Sequence, residues 1–523
     1  MAEWSNAAVL KTVEALWSPG VRIPLPPHLK APKIILGLFL LNKVSIYTLG
    51  ALTVTHFILS SKMKHILFFF LLSLSLIYFP MAVDAQDTLR IDLSEFIEMG
   101  MDKSGQAAYE RGEINLAENR AESARGQRFL PSIQLNTQHG VIPGVTSDTD
   151  LPRNEFYLDP NLSNDWEDWA VFTRAELSAV QPIYTWGAIN NAISAAESAV
   201  RVSEFEYEAK EAEIMYQYYE LYYSYLLAKE MSRLLDDAQS QLNQIGDQIR
   251  QMQEDGDPDL KEADIFKFEI FEAEFQVQKV EVEQSLRFVE RVWSRALNAG
   301  DGVVYMPAEN FLDPVPFELQ DYEYYEEQAM QTRPELRGVE SGIEAVERSV
   351  EATRAQYLPS LFLGITGSYA NTPNRPRQSN PFIINSTNYA SAAVGISIRQ
   401  NLNFSGTKRS VERAQIEHRR MHDLKDALSD GVVLDLNEKY REAVIAETKL
   451  NQTEKALTTA RNWVRHEQLN YDIGFGDVED LTDAIRQELE TRLELKQNVF
   501  DLNKRVAELY KSSGMPILQL SVN

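Results

Sequence analysis

The chain has 523 residues, 44% of them hydrophobic, and a formal net charge of −26. That balance, with no tract of clustered Lys and Arg, excludes a nucleic-acid partner held through its phosphates. With no cysteine there is no disulfide, thiolate metal site, cysteine nucleophile or cysteine-linked lipid anchor.

Met63-Lys64-His65 is followed by an apolar run from Ile66 to Phe79 and by Val83-Asp84-Ala85 before Gln86. A short basic start, a hydrophobic stretch of about 14 residues and small residues at −3 and −1 make 63–85 a secretory signal peptide, with the mature chain beginning near Gln86. The run is shorter than the roughly 20 residues that span a bilayer as a helix. Residues 1–62 then read as an upstream extension preceding the true initiator Met63. The alternative is a membrane anchor at Ile34 to Leu59.

The first half, 86–306, opens with a helical pattern from Leu93 to Phe129, ended by Leu130-Pro131-Ser132. Alternation of polar and apolar residues then predicts strands at about 132–140 and 169–183, separated by a loop rich in Pro, Asp and Asn. Gln181-Pro182-Ile183-Tyr184-Thr185-Trp186-Gly187 stops the second strand and launches a helix of about 65 residues, close to 100 Å. Its apolar spacings of three and four describe a narrow coiled-coil seam. The tyrosines from Tyr216 to Tyr225 belong to that packing. A turn at Asp255-Gly256-Asp257-Pro258 leads to a partner helix.

The second half, 307–523, repeats this order: a helix through Arg333-Pro334-Glu335-Leu336, the break Tyr357-Leu358-Pro359-Ser360, strands at about 360–370 and 389–404, a long helix, a turn and a last helix. Four amphipathic strands cannot close a barrel alone, and an open edge in a bilayer leaves backbone groups unsatisfied. A membrane role therefore requires several chains. Trp166, Trp169, Phe172, Tyr369 and Tyr389 suit an aromatic girdle.

Tyr357 to Leu361, Gln181 to Gly187, Arg333 to Leu336, and Tyr471-Asp472-Ile473-Gly474 through Asp480-Leu481-Thr482-Asp483-Ala484 together resemble the duplicated motifs of the TolC outer-membrane efflux family. The resemblance spans Leu93 to Met515. It implies a mainly α fold with a membrane β-barrel portion, built from two repeats of helix, strand, strand, long helix and helix. Three chains would form a twelve-stranded barrel in outer-membrane lipid, continued by a periplasmic α-helical barrel. It also implies a passive exit duct, docked through a periplasmic adaptor on an inner-membrane transporter of RND, ABC or MFS type. No enzymatic activity and no cofactor are expected, since neither a phosphate-cradling loop nor a nucleophile elbow is present. The alternative is a coiled-coil envelope scaffold without a channel. Lys103 to Ala107 matches the Arg-Pro-Glu-Leu motif poorly, and the acylated cysteine of some relatives is missing.

By the same resemblance, Asp480 and Asp483 are the carboxylates of a periplasmic gate, and Tyr471 takes part in holding it shut. Their spacing puts both aspartates on one helix face. Threefold symmetry would gather six, a ring that attracts cations and offers oxygen ligands to a blocking cation. The alternative reading of Asp480 and Asp483 is acidic residues favoured by the helix dipole. The basic gate residue expected just after Tyr471 is replaced by Gly476. Asp255, Gly256 and Asp257 at one tip, and Gly474, Phe475 and Gly476 at the other, are expected adaptor contacts. His418 and His422 are four apart, but no third ligand accompanies them and no resident metal is expected.

Overall fold

A computed structural model describes residues 87–146, 161, 163–256, 260–298, 303–375, 387–473, 475–476 and 478–521. The expected extension at 1–62 and signal peptide at 63–85 lie outside the described residues. Thr88–Gly300 and Tyr305–Asn523 make one compact unit, while the other, Ser18–Asp87 with Asp301–Val304, falls almost wholly outside the described residues.

Strand β1 (Asp87–Ile91) leads into α1 (Leu93–Lys103) and α2 (Gly105–Phe129). The sequence predicts one continuous helix here; the structure breaks it at Ser104, whose hydroxyl accepts the Ala107 N–H at 3.2 Å and starts a new helix. Strands β2 (Ser132–Thr146) and β3 (Ser163–Tyr184) follow, then α3 (Ala188–Asp255, 68 residues) and α4 (Glu262–Ala296). After β4 (Val303–Pro307), the order repeats as α5 (Tyr322–Thr332), α6 (Pro334–Arg354), β5 (Ser360–Asn371), β6 (Tyr389–Arg399), α7 (Phe404–Asp472, 69 residues) and α8 (Val478–Ser512). The break between α5 and α6 falls at Arg333, with Pro334 at the first helical position. Arg333 bridges Glu335 at 3.0 Å and Asp435 at 3.2 Å, so the Arg-Pro-Glu-Leu motif is a joint fastening α6 to α7.

Strands β2, β3, β5 and β6 form one antiparallel sheet in that order, leaving β2 and β6 as its two edges. The register aligns Ile133, Ala179, Ile365 and Val394 in one row across all four strands, and Asn136, Glu176, Ser368 and Ser391 in another. Because side chains alternate faces, one face is apolar and the other polar. The apolar side chains are not covered: Ile133, Val394, Ile396 and Ile398 are all exposed.

Three bounds differ from expectation. β2 runs on to Thr146 because an edge strand tolerates the missing donor of Pro143, where alternation lapses. β3 begins at Ser163, six residues early, with pairing that jumps from Trp169 to Asp165. β6 stops at Arg399 rather than near 404, because Asn403 accepts the Gly406 N–H at 3.0 Å and caps α7. The girdle also divides. Trp169 packs with Trp166 at 5.9 Å, and Tyr369 shares the apolar face, but Phe172 covers Gly140 and Tyr389 lies in the row of Gln138, Arg174 and Ala370 on the polar face. Trp169 and Phe172 are three apart, so a period of two sends them to opposite faces.

At the other strand ends the repeated motifs meet. Trp186 and Gly187 both adopt positive φ, 52° and 84°, and the Trp186 indole N–H donates to the Pro359 carbonyl at 2.8 Å. Near the end of each second strand a glutamine donates to the end of the preceding helical segment, Gln181 to the Arg128 carbonyl at 2.9 Å and Gln400 to the Tyr357 carbonyl at 3.3 Å.

The core lies along the helices. Phe96 stacks on Trp293 at 4.1 Å, with Tyr222 and Tyr225 against the same indole. Such pairs add about 0.5–1.5 kcal/mol each beyond area burial. Tyr222 donates to Glu309, and Tyr440 of the second repeat donates to the Gln320 carbonyl at 3.2 Å, so equivalent tyrosines pin the connecting segment in both halves. Among the described residues no helix is long and apolar enough to cross a membrane.

Candidate functional site: the paired hairpin tips

The second hairpin turns between α7 and α8. Phe475 and Gly476 both donate backbone N–H groups to the Asn470 carbonyl, at 2.9 and 3.0 Å. The turn therefore folds back so closely that a Cβ at Gly476 would sit 2.8 Å from the Tyr471 backbone nitrogen and 3.1 Å from the Asn470 carbonyl carbon. Glycine stands in place of the expected basic residue because backbone fills that space. Gly474 lies outside the described residues. Phe475 is 88% exposed, and Leu469 and Ile473 beside it are exposed too, so this tip presents an apolar surface.

The first tip differs. Gly256, at φ 66°, closes α3 by donating to the Gln253 carbonyl, and Glu254 and Asp255 are exposed. Asp257 lies outside the described residues. Asp264 in the first turn of α4 is 2% exposed, and its Oδ1 has no hydrogen-bond partner among the described residues; the Arg486 Nε on α8 is likewise buried and unsatisfied.

Within the chain the two hairpins are clasped. The Tyr471 hydroxyl donates to the Met252 sulfur at 3.2 Å, joining the end of α7 to the end of α3. Lys267 on α4 pairs with Glu479 on α8. Arg486 lies 4.7 Å over the Phe271 ring, and Phe268 and Phe271 pack in one cluster with Val478, Leu481 and Ile485. Tyr471 thus holds the hairpins together, whereas Lys267 and Glu479 escape a sequence reading because 212 residues separate them.

Asp480 is exposed and Asp483 half-buried on α8, whose other side buries Leu481, Ala484 and Ile485. They head a longer stripe. Gln487, Glu490 and Glu494 follow at alternating spacings of four, three and four, all exposed, which is one continuous helix face. The heptad spacing carries that signal, and a reading confined to the turn misses it. His418 and His422 pack edge to face at 4.8 Å, and among the described residues no group of three potential ligands converges on a metal position.

Where the sheet meets the helices, a cavity of about 810 Å³ opens on the polar face, lined by Glu122, Gln127, Gln134, Ser178 and Arg399 among others. Its walls mix these polar groups with Leu130, Val180, Ile189 and Phe362.

Residues 326–515 match the family model described as outer membrane efflux protein. Among curated proteins no sequence matches. Among solved structures the chain is similar to the outer-membrane channel OprN, at 13% identity and a TM-score of 0.62 over 83% of this chain and 95% of that one. It is similar to the open-state MtrE outer membrane channel of Neisseria gonorrhoeae, at 14% and 0.63 over 81% and 89%. It is also similar to the outer membrane protein VceC of Vibrio cholerae, at 15% and 0.60 over 81% and 96%. The resemblance read from the motifs therefore holds, by sequence in the second repeat and by fold along both.

Proposed function

We propose that this chain, carrying an outer membrane efflux domain in its second repeat, assembles as a homotrimer that forms the passive exit duct of a tripartite export system. The observation that carries this reading is the sheet. Among the described residues it has four strands, one apolar exposed face, one polar face and two unpaired edges. In a bilayer each edge must find a partner, and β2 of one copy against β6 of the next supplies it. Two copies would make eight strands, a barrel whose interior side chains fill. Three make twelve and leave a passage.

Beneath that barrel the long helices reach about 100 Å into the periplasm. The α8 stripe headed by Asp480 and Asp483 lines the narrow end, where three copies concentrate carboxylates and favour cations. Tyr471 and Met252, with Lys267 and Glu479, hold the entrance closed. The unsatisfied Asp264 and Arg486 atoms are a cost of the closed packing that opening relieves. Phe475 and Gly476 at one tip, with Asp255 and Gly256 at the other, meet a periplasmic adaptor, which couples the duct to an inner-membrane RND, ABC or MFS transporter. The exposed apolar patch at Phe475 supports this, since exposed apolar surface ringed by polar residues marks a protein contact.

Membrane fractionation with chemical crosslinking tests the assembly. A heat-dissociable trimer that leaves the outer membrane only with detergent is expected. Extraction without detergent, or a monomer, would instead indicate a coiled-coil scaffold.

A further inference from the structure

Against a net charge of −26, cations gather where β1 meets α3 and α8. Arg90 at the end of β1, Lys229 and Arg233 on α3, and Lys496 on α8 gather around Glu230, which is 5% exposed. Glu230 is already engaged, by Arg233 at 2.9 Å and Lys496 at 3.0 Å. Lys229 has no hydrogen-bond acceptor among the described residues. Burial, then Arg233 and Arg90, hold its ammonium below the ordinary lysine range, so the cations repel one another on the unliganded surface. Asn310 organises the patch, its side-chain oxygen accepting from Arg90 at 3.1 Å and its carbonyl from Arg233 at 3.4 Å. This places Phe311, 57% exposed, with its ring 5.1 Å from the Arg233 guanidinium.

We infer that Arg90, Lys229, Arg233 and the ring of Phe311 form a docking surface for a carboxylate-bearing glycan of the wall layer between the two membranes. The inference rests on the reading of α3 as a periplasmic helix. On that reading the patch lies about 60 Å along α3 from its barrel end, well inside the periplasm. The cations take carboxylates through charge-assisted hydrogen bonds, and an exposed ring offers a flat apolar face to a sugar. An acidic protein fits less well. Its footprint of roughly 800 Å² would also cover exposed Asp236 and Asp237, one turn beyond Arg233, whereas a glycan strand is narrow enough to touch the patch alone.

The test is co-sedimentation of the full-length protein, purified in detergent, with wall sacculi, beside conductance measured on the same preparation. Wild type is expected to pellet with sacculi in a salt-sensitive manner and to lose binding when sacculus carboxylates are amidated. Arg90→Gln with Lys229→Gln is expected to bind about tenfold more weakly, and Phe311→Ser to weaken binding without changing its salt dependence. Equal pelleting of the double variant, indifference to amidation, or binding only to lipopolysaccharide vesicles or an acidic protein would overturn the inference. A conducting preparation that ignores sacculi defeats this inference alone, while one that does not conduct defeats the duct.

Discussion

Replacing Lys267 by Met cuts the ion pair that ties α4 to α8 beside the second tip. The two side chains are 49% and 31% exposed, so water screens the pair and each copy contributes only about 0.2–1 kcal/mol. In a trimer three copies act on one opening, roughly 0.6–3 kcal/mol together, which is about 3- to 150-fold in the ratio of open to closed states. Single-channel recording of purified protein in planar bilayers reads that ratio directly. Lys267→Met should raise open probability most at low ionic strength, where the wild-type pair is strongest. Exchanging the charges, Lys267→Glu with Glu479→Lys, should restore closure. If Lys267→Met behaves as wild type at every salt concentration, or the exchange does not restore closure, the clasp assigned to this pair is wrong.

Gly476→Ala puts a Cβ against backbone and forces the turn open, losing two hydrogen bonds to the Asn470 carbonyl, about 1–3 kcal/mol. Hydrogen exchange at the Phe475 and Gly476 amides should quicken while the strands stay protected; unchanged exchange would refute the tight turn. Glu206 on α3 is pushed up to about 7 by burial, and further by Glu110 and Glu113. The folded state therefore holds a proton that the unfolded chain releases near 4.5, so stability should fall as pH rises from about 4.5 to 7. Glu206→Gln should flatten that part of a pH series of thermal melts, and a slope that survives would show another group is responsible. Phe96→Ala empties the fully buried stack on Trp293 and should cost about 3–5 kcal/mol. Thermal melting followed by near-ultraviolet circular dichroism measures this, and a change below about 1 kcal/mol would contradict the packing.

Much of the architecture was legible because it is written in period and punctuation. Alternation marked the four strands, seams of three and four marked the long helices, and Leu-Pro-Ser marked both helix-to-strand breaks. What escaped depends on local chemistry or distance. The break at Ser104 hides inside a good helical pattern, since a serine cap needs only one hydroxyl. The end of β2 passes through Pro143-Gly144, where no alternation survives. Phe172 looked like a girdle residue until the register placed it over Gly140. At the candidate site, Asp480, Asp483 and Tyr471 stood out through a motif, and Tyr471 joins the hairpins in space. Lys267 did not, because nothing in a linear reading brings it to Glu479. Gly476 was visible only as a missing basic residue. The geometry supplies the reason, which is a carbonyl accepting two backbone donors in a space with no room for a side chain.

The central claim is that three chains enclose a passage whose periplasmic end is ringed by Asp480 and Asp483. Single-channel recording, with a trivalent cation added on the side of the hairpin tips, tests it most directly. Wild type should conduct, prefer cations and be blocked from that side only, and Asp480→Asn with Asp483→Asn should conduct with the block and much of the preference lost. A wild-type preparation that does not conduct, or a double variant blocked as strongly as wild type, would contradict it.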